Sequence, residues 1–242
     1  MWGRRRRGGM AIPDSALLEE KRRAEAALAH RLAFEKLVTR LSTKLIQSPA
    51  PELDEAITWA LEQLGEFTGV DRCVVFQLRA GSADVHFTHE WCAPDFSSTR
   101  YQYASVPMDT FPWAFEMYQK FQVVYVSDVD DLPPEACREQ EMWRAASVQS
   151  VLAVPLSVGQ ELRGVIALTT ERTKKTWMEE DIRLLETAAQ MLMNAIGRQS
   201  SEAALHRMEA QFRTLADQLP AAIAILNADS FVYVNEASER IS

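Results

Sequence analysis

The sequence predicts an α+β fold: an antiparallel sheet flanked by helices, with a long coiled-coil-forming helix at each end. Three observations predict it. Apolar residues recur three and four apart in one long stretch before residue 48 and another after residue 176. Runs rich in β-branched and aromatic residues fill the interval between them. Within that interval, Ser150 to Leu156 and Leu162 to Thr169 flank a Gly159-Gln160 turn, the pattern of a plain hairpin.

Each element follows in order. Residues 1–13, with Arg4 to Arg7 between glycines, read as a disordered basic tail. Ser15 suits a helix cap, and from Ala16 to about Gln47 no Gly or Pro interrupts the helix. Phe34, Leu37, Leu41 and Leu45 share one face of it, and Ser48-Pro49-Ala50-Pro51 breaks it. Leu53, Ile57, Leu61, Leu64 and Phe67 mark a second amphipathic helix ending at Gly69. Cys73 to Leu78 is a strand, residues 80–84 a turn, and Val85 to Trp91 a returning strand. Tyr101 to Val106 forms a third strand, and a short helix runs from Phe111 to about Lys120. Gln122 to Val126 is a fourth strand, Pro133 to about Ala146 a helix, and the hairpin follows, with Gly164 leaving room on its second strand.

The last helix starts near Trp177, where Glu179, Glu180 and Asp181 complement the positive end of its dipole. Met178, Ile182, Leu185, Ala189, Leu192 and Ile196 make a heptad seam. Leu205, Met208, Phe212, Leu215 and Leu219 continue that rhythm in another phase, so the register is expected to change within 197–201.

Composition narrows the function. Of 242 residues, 47% are apolar and 25% charged, which excludes wholesale disorder. No apolar run approaches the roughly 18–20 residues a membrane-spanning helix needs. The N-terminus has charge without an apolar stretch behind it, unlike a secretory signal. Three cysteines, none in a CxxC pair, fit a reducing cytoplasm better than a disulfide framework or a structural zinc site. The net charge of −8 makes the body a poor partner for nucleic acid.

Catalytic signatures are missing: the sequence contains no phosphate-binding glycine loop, GxSxG or HExxH. His86 and His89, three apart on one strand, are expected on opposite faces. His86, Glu90 and Cys92 would then share a face but spread too far along it to converge on a metal.

Several motifs carry a resemblance to the GAF domain. They are Arg72-Cys-Val-Val-Phe76, the His89 to Cys92 patch, Asp128 to Pro133 and Ser150 to Pro155. Gly164 to Leu168 and Trp177 followed by Glu180-Asp181-Ile182 complete the set, in the family's order. The resemblance gives 14–34 as a signalling helix, 35–198 as the GAF domain and 199–219 as a linker helix. Phe212 to Pro220, Ile225 to Asp229 and Val232 to Asn235 resemble the opening of a PAS domain, and 220–242 would be its incomplete start, expected to be disordered or loosely packed.

The resemblance implies a sensory module from the front of a longer signalling protein, with a histidine kinase or cyclic-di-GMP effector further on. It would form a parallel homodimer, bind an unidentified small-molecule ligand and relay binding through its helices to that downstream module without being an enzyme. Phe76, Trp91, Phe111, Trp113, Tyr118, Tyr125 and Trp143, with Phe115, fall where the resemblance places the ligand cavity. An apolar, aromatic lining is what a small-molecule pocket needs. No cofactor is named by the sequence. Cyclic-nucleotide relatives carry an Asn-Lys-Phe-Asp-Glu type motif that is missing between Thr169 and Asp181. Bilin-binding relatives carry a Cys-His pair near Cys137, the one candidate for a covalent chromophore, yet Arg138 follows it here. A ligand-free structural dimerisation module is the alternative. A bilin photosensor and a methionine sulfoxide reductase-like enzyme, which would need Cys92 and Cys137 to meet, rank below both.

Overall fold

The computed structural model describes residues 14–78, 84–98, 104–221, 223–227, 230–235 and 237. The basic tail, the 80–83 turn and residues 101–103 of the expected third strand lie outside the described residues, as does the Ser15 side chain.

Helix α1 (Asp14–Gln47) stops where Pro49 and Pro51 withdraw backbone donors, and α2 (Leu53–Thr68) follows a short 3-10 turn. Gly69 closes α2 at φ 66°, a left-handed cap in which its N–H returns to Gly65. Strands β1 (Arg72–Leu78), β2 (Asp84–Cys92) and β3 (Ser105–Pro107) come next. After them lie α3 (Pro112–Gln119), β4 (Val124–Val126) and α4 (Cys137–Ala145). The hairpin is β5 (Ser150–Val158) and β6 (Glu161–Thr170), turned by Gly159 at φ 61°. The final helix α5 spans Glu179–Gln218.

Six strands form one antiparallel sheet in the order β3-β2-β1-β6-β5-β4. At its centre β6 comes so close to β1 that a Cβ on Gly164 would lie 2.1 Å from the Phe76 carbonyl oxygen. The two faces carry separate apolar clusters, as strand alternation dictates. Cys73, Val75, Leu152, Val154, Ile166 and Leu168 face α1, α2 and α5. Val74, Phe87, Val151, Ala153, Val165 and Ala167 face α3 and its neighbours.

The two expected dimer seams are spent inside the chain. Leu37, Leu41 and Leu45 of α1 and Leu185, Ala189 and Leu192 of α5 are buried in one common cluster. Helices α1 and α5 run parallel, since His30 meets Glu180 at 3.1 Å and Ser48 meets Arg198 further along both. The middle of each stripe thus buries against the other, while Phe34, Ile182 and Ile196 are only partly buried and Met178 is exposed. The expected phase change also leaves no break, because α5 is continuous through 197–201 and the 199–219 linker is its second half. Beyond Arg198 the helix outruns α1, and Leu205, Met208, Phe212, Leu215 and Leu219 are exposed.

Past α5, strands β7 (Ala224–Asn227) and β8 (Ser230–Val234) pair antiparallel. Buried Asn235 ties them to the helix end: its Nδ2 donates to the Ala216 carbonyl at 2.8 Å and its Oδ1 accepts from Ile223 N at 2.9 Å. Of the expected disordered or loosely packed end, the described part forms a hairpin anchored by one buried amide, and its packing is loose: Ile225, Leu226, Val232 and Val234 stay exposed.

Candidate functional site

On the sheet face away from α1, α2 and α5 lies a cavity of about 430 Å³. Its floor comes from alternate residues of adjacent strands: Val74 and Phe76 on β1, Phe87 on β2, Val165 and Ala167 on β6. Its roof is α3, which presents Phe111, Ala114, Phe115 and Tyr118 at helical spacing, together with Met142 and Trp143 of α4. The Phe111 and Trp143 rings stack with centroids 6.4 Å apart, and Phe76 meets Phe87 at 4.8 Å.

The structure thus brings Phe76, Phe111, Tyr118 and Trp143 together, with Phe115, and places the other three expected aromatics elsewhere. Trp91 is on the opposite sheet face, packed against α2 beside Gly65. Trp113 packs on the α3 cluster without lining the cavity, because it falls one helical position away from the Phe111–Ala114–Tyr118 face. Tyr125, the middle residue of edge strand β4, is 63% exposed between inward Val124 and Val126.

A bulge explains Trp91. Val75 pairs with His89 and Phe76 with Phe87, so Thr88 is an extra residue in β2. Val85 and Phe87 therefore face the cavity, whereas His89 and Trp91 face the helices. The same bulge corrects the histidine reading: His86 and His89 fall on one face, not opposite ones. His89 Nε2 lies 3.4 Å from Asp54 Oδ1 of α2. Among the described residues no three His, Cys, Asp or Glu side chains gather as a metal site.

The cysteines are dispersed as well. Cys73 is buried on the helix face, and burial pushes its thiol up well beyond the usual range. Cys92 donates to the Phe96 carbonyl, its thiol pushed up by burial and by Glu90. Cys137 is exposed at the start of α4 and does not line the cavity, so its thiol is not placed to hold a ligand seated there.

One end of the cavity is ionic. Arg72, with its side chain 10% exposed, points in from β1 beside Glu171. Its Nε donates to Glu171 Oε1 at 2.9 Å, its Nη1 to Glu90 of β2, and Nη1 and Nη2 to the Ser97 carbonyl at 3.2 and 3.3 Å. Burial would ease the proton off this guanidinium, but Glu171 and Glu90 outweigh it and hold the charge more firmly. Sequence reasoning passed over this group. Its signal was there in strand parity: Arg72, Val74 and Phe76 alternate onto one face.

The roof is fastened by Glu139 of α4, fully buried, whose Oε1 accepts from Trp113 N at 2.7 Å and Ala114 N at 3.1 Å, capping α3. Its Oε2 has no hydrogen-bond partner among the described residues. Tyr118 is kept a neutral phenol, its pKa raised by burial and by the nearby Glu139 charge.

A helix-flanked antiparallel sheet with a roofed cavity on one face defines a class of small α+β domain. Residues 52–196 match the GAF domain family, and the chain belongs to it. It is 25% identical over 204 residues to "Circadian input-output histidine kinase CikA" of Thermosynechococcus vestitus (strain NIES-2133 / IAM M-273 / BP-1), covering 77% of this chain and 27% of that protein. It is 23% identical over 189 residues to "Methanogenesis regulatory histidine kinase FilI" of Methanothrix harundinacea (strain 6Ac), covering 75% of this chain and 20% of that one. The chain thus spans about a quarter or less of these curated relatives. Among solved structures, the phycocyanobilin-bound GAF domain from a cyanobacterial phytochrome superposes with TM-score 0.59 at 20% identity, over 70% of this chain and 96% of that one. No helix among the described residues is long and apolar enough to cross a membrane.

Proposed function

We propose that this chain is the sensory part of a cytoplasmic signal-transduction protein. The cavity holds a small molecule, and its occupancy biases the helices α1 and α5 that lead toward a downstream effector, with 220–242 opening a PAS domain. The chain itself performs no catalysis. The observation that carries this reading is the division of the sheet. One face is filled by the helices that enter and leave the domain, and the other keeps a 430 Å³ cavity under α3 and α4. Histidine-kinase relatives support the signalling role.

Transmission requires a ligand to favour one arrangement of the helices over another. The Leu205 to Leu219 stripe, exposed beyond the end of α1, suits pairing with a second copy in a parallel homodimer. Native mass spectrometry with an absorption scan of freshly purified protein tests ligand and dimer together. A dimer with a copurified small molecule is expected. Removing residues 1–31 and everything after Gly197 should leave a folded monomer in sedimentation. A truncated form that stays dimeric would refute the seam, and a cavity that binds nothing would leave a structural dimerisation module.

A further inference from the structure

The roof of the cavity holds a buried hydroxyl with nothing to bond. Tyr118, in the last turn of α3, lines the cavity and is 9% exposed. Its phenol O–H has no hydrogen-bond partner among the described residues. Glu139 does not take the bond: its Oε1 is engaged by Trp113 N and Ala114 N, and its Oε2 has no partner among the described residues. The side-chain atoms sealed off without a partner are Glu139 Oε2, Thr169 Oγ1 and Thr170 Oγ1 among the described residues, and the Tyr118 oxygen is not one of them. It is therefore reachable. Tyr118 sits deep enough for burial to raise its pKa, so the space that reaches its hydroxyl is the cavity.

Buried tyrosines ordinarily bond their hydroxyl, because a donor left unmade in apolar surroundings costs its full desolvation. The other polar side chains of the lining are engaged, sealed or outlying. Arg72 donates to Glu171 at 2.9 Å, the Thr169 hydroxyl is enclosed, Ser147 is exposed at the rim and Trp143 is only partly buried. Around Tyr118 the wall is apolar, with Phe76, Phe87, Phe111 and Ala114. Such a lining with one placed donor fits a ligand of matching pattern. We propose that the occupant is a mostly apolar molecule bearing a hydrogen-bond acceptor, such as a carbonyl or ether oxygen or a ring nitrogen, and that the Tyr118 hydroxyl donates to it. This rests on the ligand-binding reading above and adds the chemical class and the residue that orients the ligand against α3.

Two fluorescent probes test this on the full chain. The emission of 6-propionyl-2-dimethylaminonaphthalene moves to the red when its carbonyl accepts a hydrogen bond, whereas N-phenyl-1-naphthylamine carries no carbonyl. Each should bind the parent once per chain, and Ala145→Trp, at the exposed rim, should block both. Tyr118→Phe keeps the ring and removes only the hydroxyl. It should weaken the carbonyl probe about three- to tenfold, shift its bound emission to the blue and change the other probe less than twofold. Its denaturation midpoint without ligand should match the parent's, since the hydroxyl bonds nothing there. Equal carbonyl-probe binding with the same emission, or an equal loss for both probes, would overturn the donor role and keep the pocket. So would a marked loss of stability in Tyr118→Phe, which would show the hydroxyl bonded within the protein. No binding of either probe to the parent, or binding that Ala145→Trp leaves unchanged, would instead overturn the pocket.

Discussion

The six-membered ring of Trp91 occupies the space a side chain at Gly65 would need: a Cβ there would lie 2.0 Å from Cζ3 and 2.3 Å from Cε3. β2 and α2 approach closely only because residue 65 has no side chain. Gly65→Ala improves helix propensity by roughly 1 kcal/mol, but the clash must displace a large ring from a packed face. The net expectation is a loss of about 1–2 kcal/mol in urea unfolding. Adding Trp91→Leu should recover part of it, since the two positions share one contact. Equal stability of Gly65→Ala and the parent would mean that the ring is not held there.

The same contact shows how far the sequence was legible. Helical periodicity located α1, α2 and α5, and the Gly159 turn located the β5–β6 hairpin, because those signals are local. The cavity aromatics on α3 and β1 fell where the resemblance to the GAF domain placed them. Trp91 did not, since strict period-2 reading puts it with Phe87, and the bulge at Thr88 reverses every side chain after it. Tyr125 was misplaced for a different reason: β4 is an edge strand of three residues, too short to reveal which way its middle residue points. The seams of α1 and α5 were seen correctly as apolar stripes. Their partner was each other, and periodicity carries no information about which stripe a stripe will meet.

Glu139 joins the two helices over the cavity. Glu139→Ala removes the acceptor for Trp113 N and Ala114 N at the start of α3. One buried and one part-buried donor are then orphaned, at an expected cost of about 2–3 kcal/mol. Glu139→Gln keeps a carbonyl oxygen in place and gives up the carboxylate's unpartnered oxygen, so its stability should stay within about 1 kcal/mol of the parent. Denaturation midpoints separate these outcomes. A Gln variant as unstable as Ala would show that the charge, rather than the cap, is what α3 requires.

Acid should unfold the domain partly through Asp71. Burial alone would raise its pKa, but the N–H groups of Arg172 and Glu171 and the Arg172 guanidinium outweigh burial and hold it below the ordinary value. A carboxylate depressed in the folded state stabilises fully above its unfolded pKa, and that contribution fades as pH falls through the folded pKa. The window therefore opens below about pH 4. Asp71→Asn should be less stable than the parent at pH 7, and the gap should narrow as pH falls from about 4 toward 2. Parallel stability curves for the two proteins across that window would contradict the assignment.

Arg198 clamps the end of α1 to α5. Its Nη2 donates to the Leu45 carbonyl at 3.0 Å and the Ser48 carbonyl at 2.9 Å, and its Nη1 to Ile46. These are carbonyls that a helix C-terminus leaves without partners, and a cation there also suits the helix dipole. The neighbouring Gln199 Nε2 reaches Ala50 O at 2.9 Å, so two consecutive residues hold the break between α1 and α2. The Arg198 side chain is 37% exposed, so screening keeps the expected stability loss of Arg198→Ala to about 1 kcal/mol. The local effect should be larger than the global one: amide hydrogen exchange over 44–48 should quicken severalfold while the β5–β6 hairpin stays protected. Arg198→Lys should restore little, because a single ammonium lacks the fork that reaches three carbonyls. Unchanged exchange at 44–48 in Arg198→Ala would assign the holding of that helix end to the buried Leu41 and Leu45 instead.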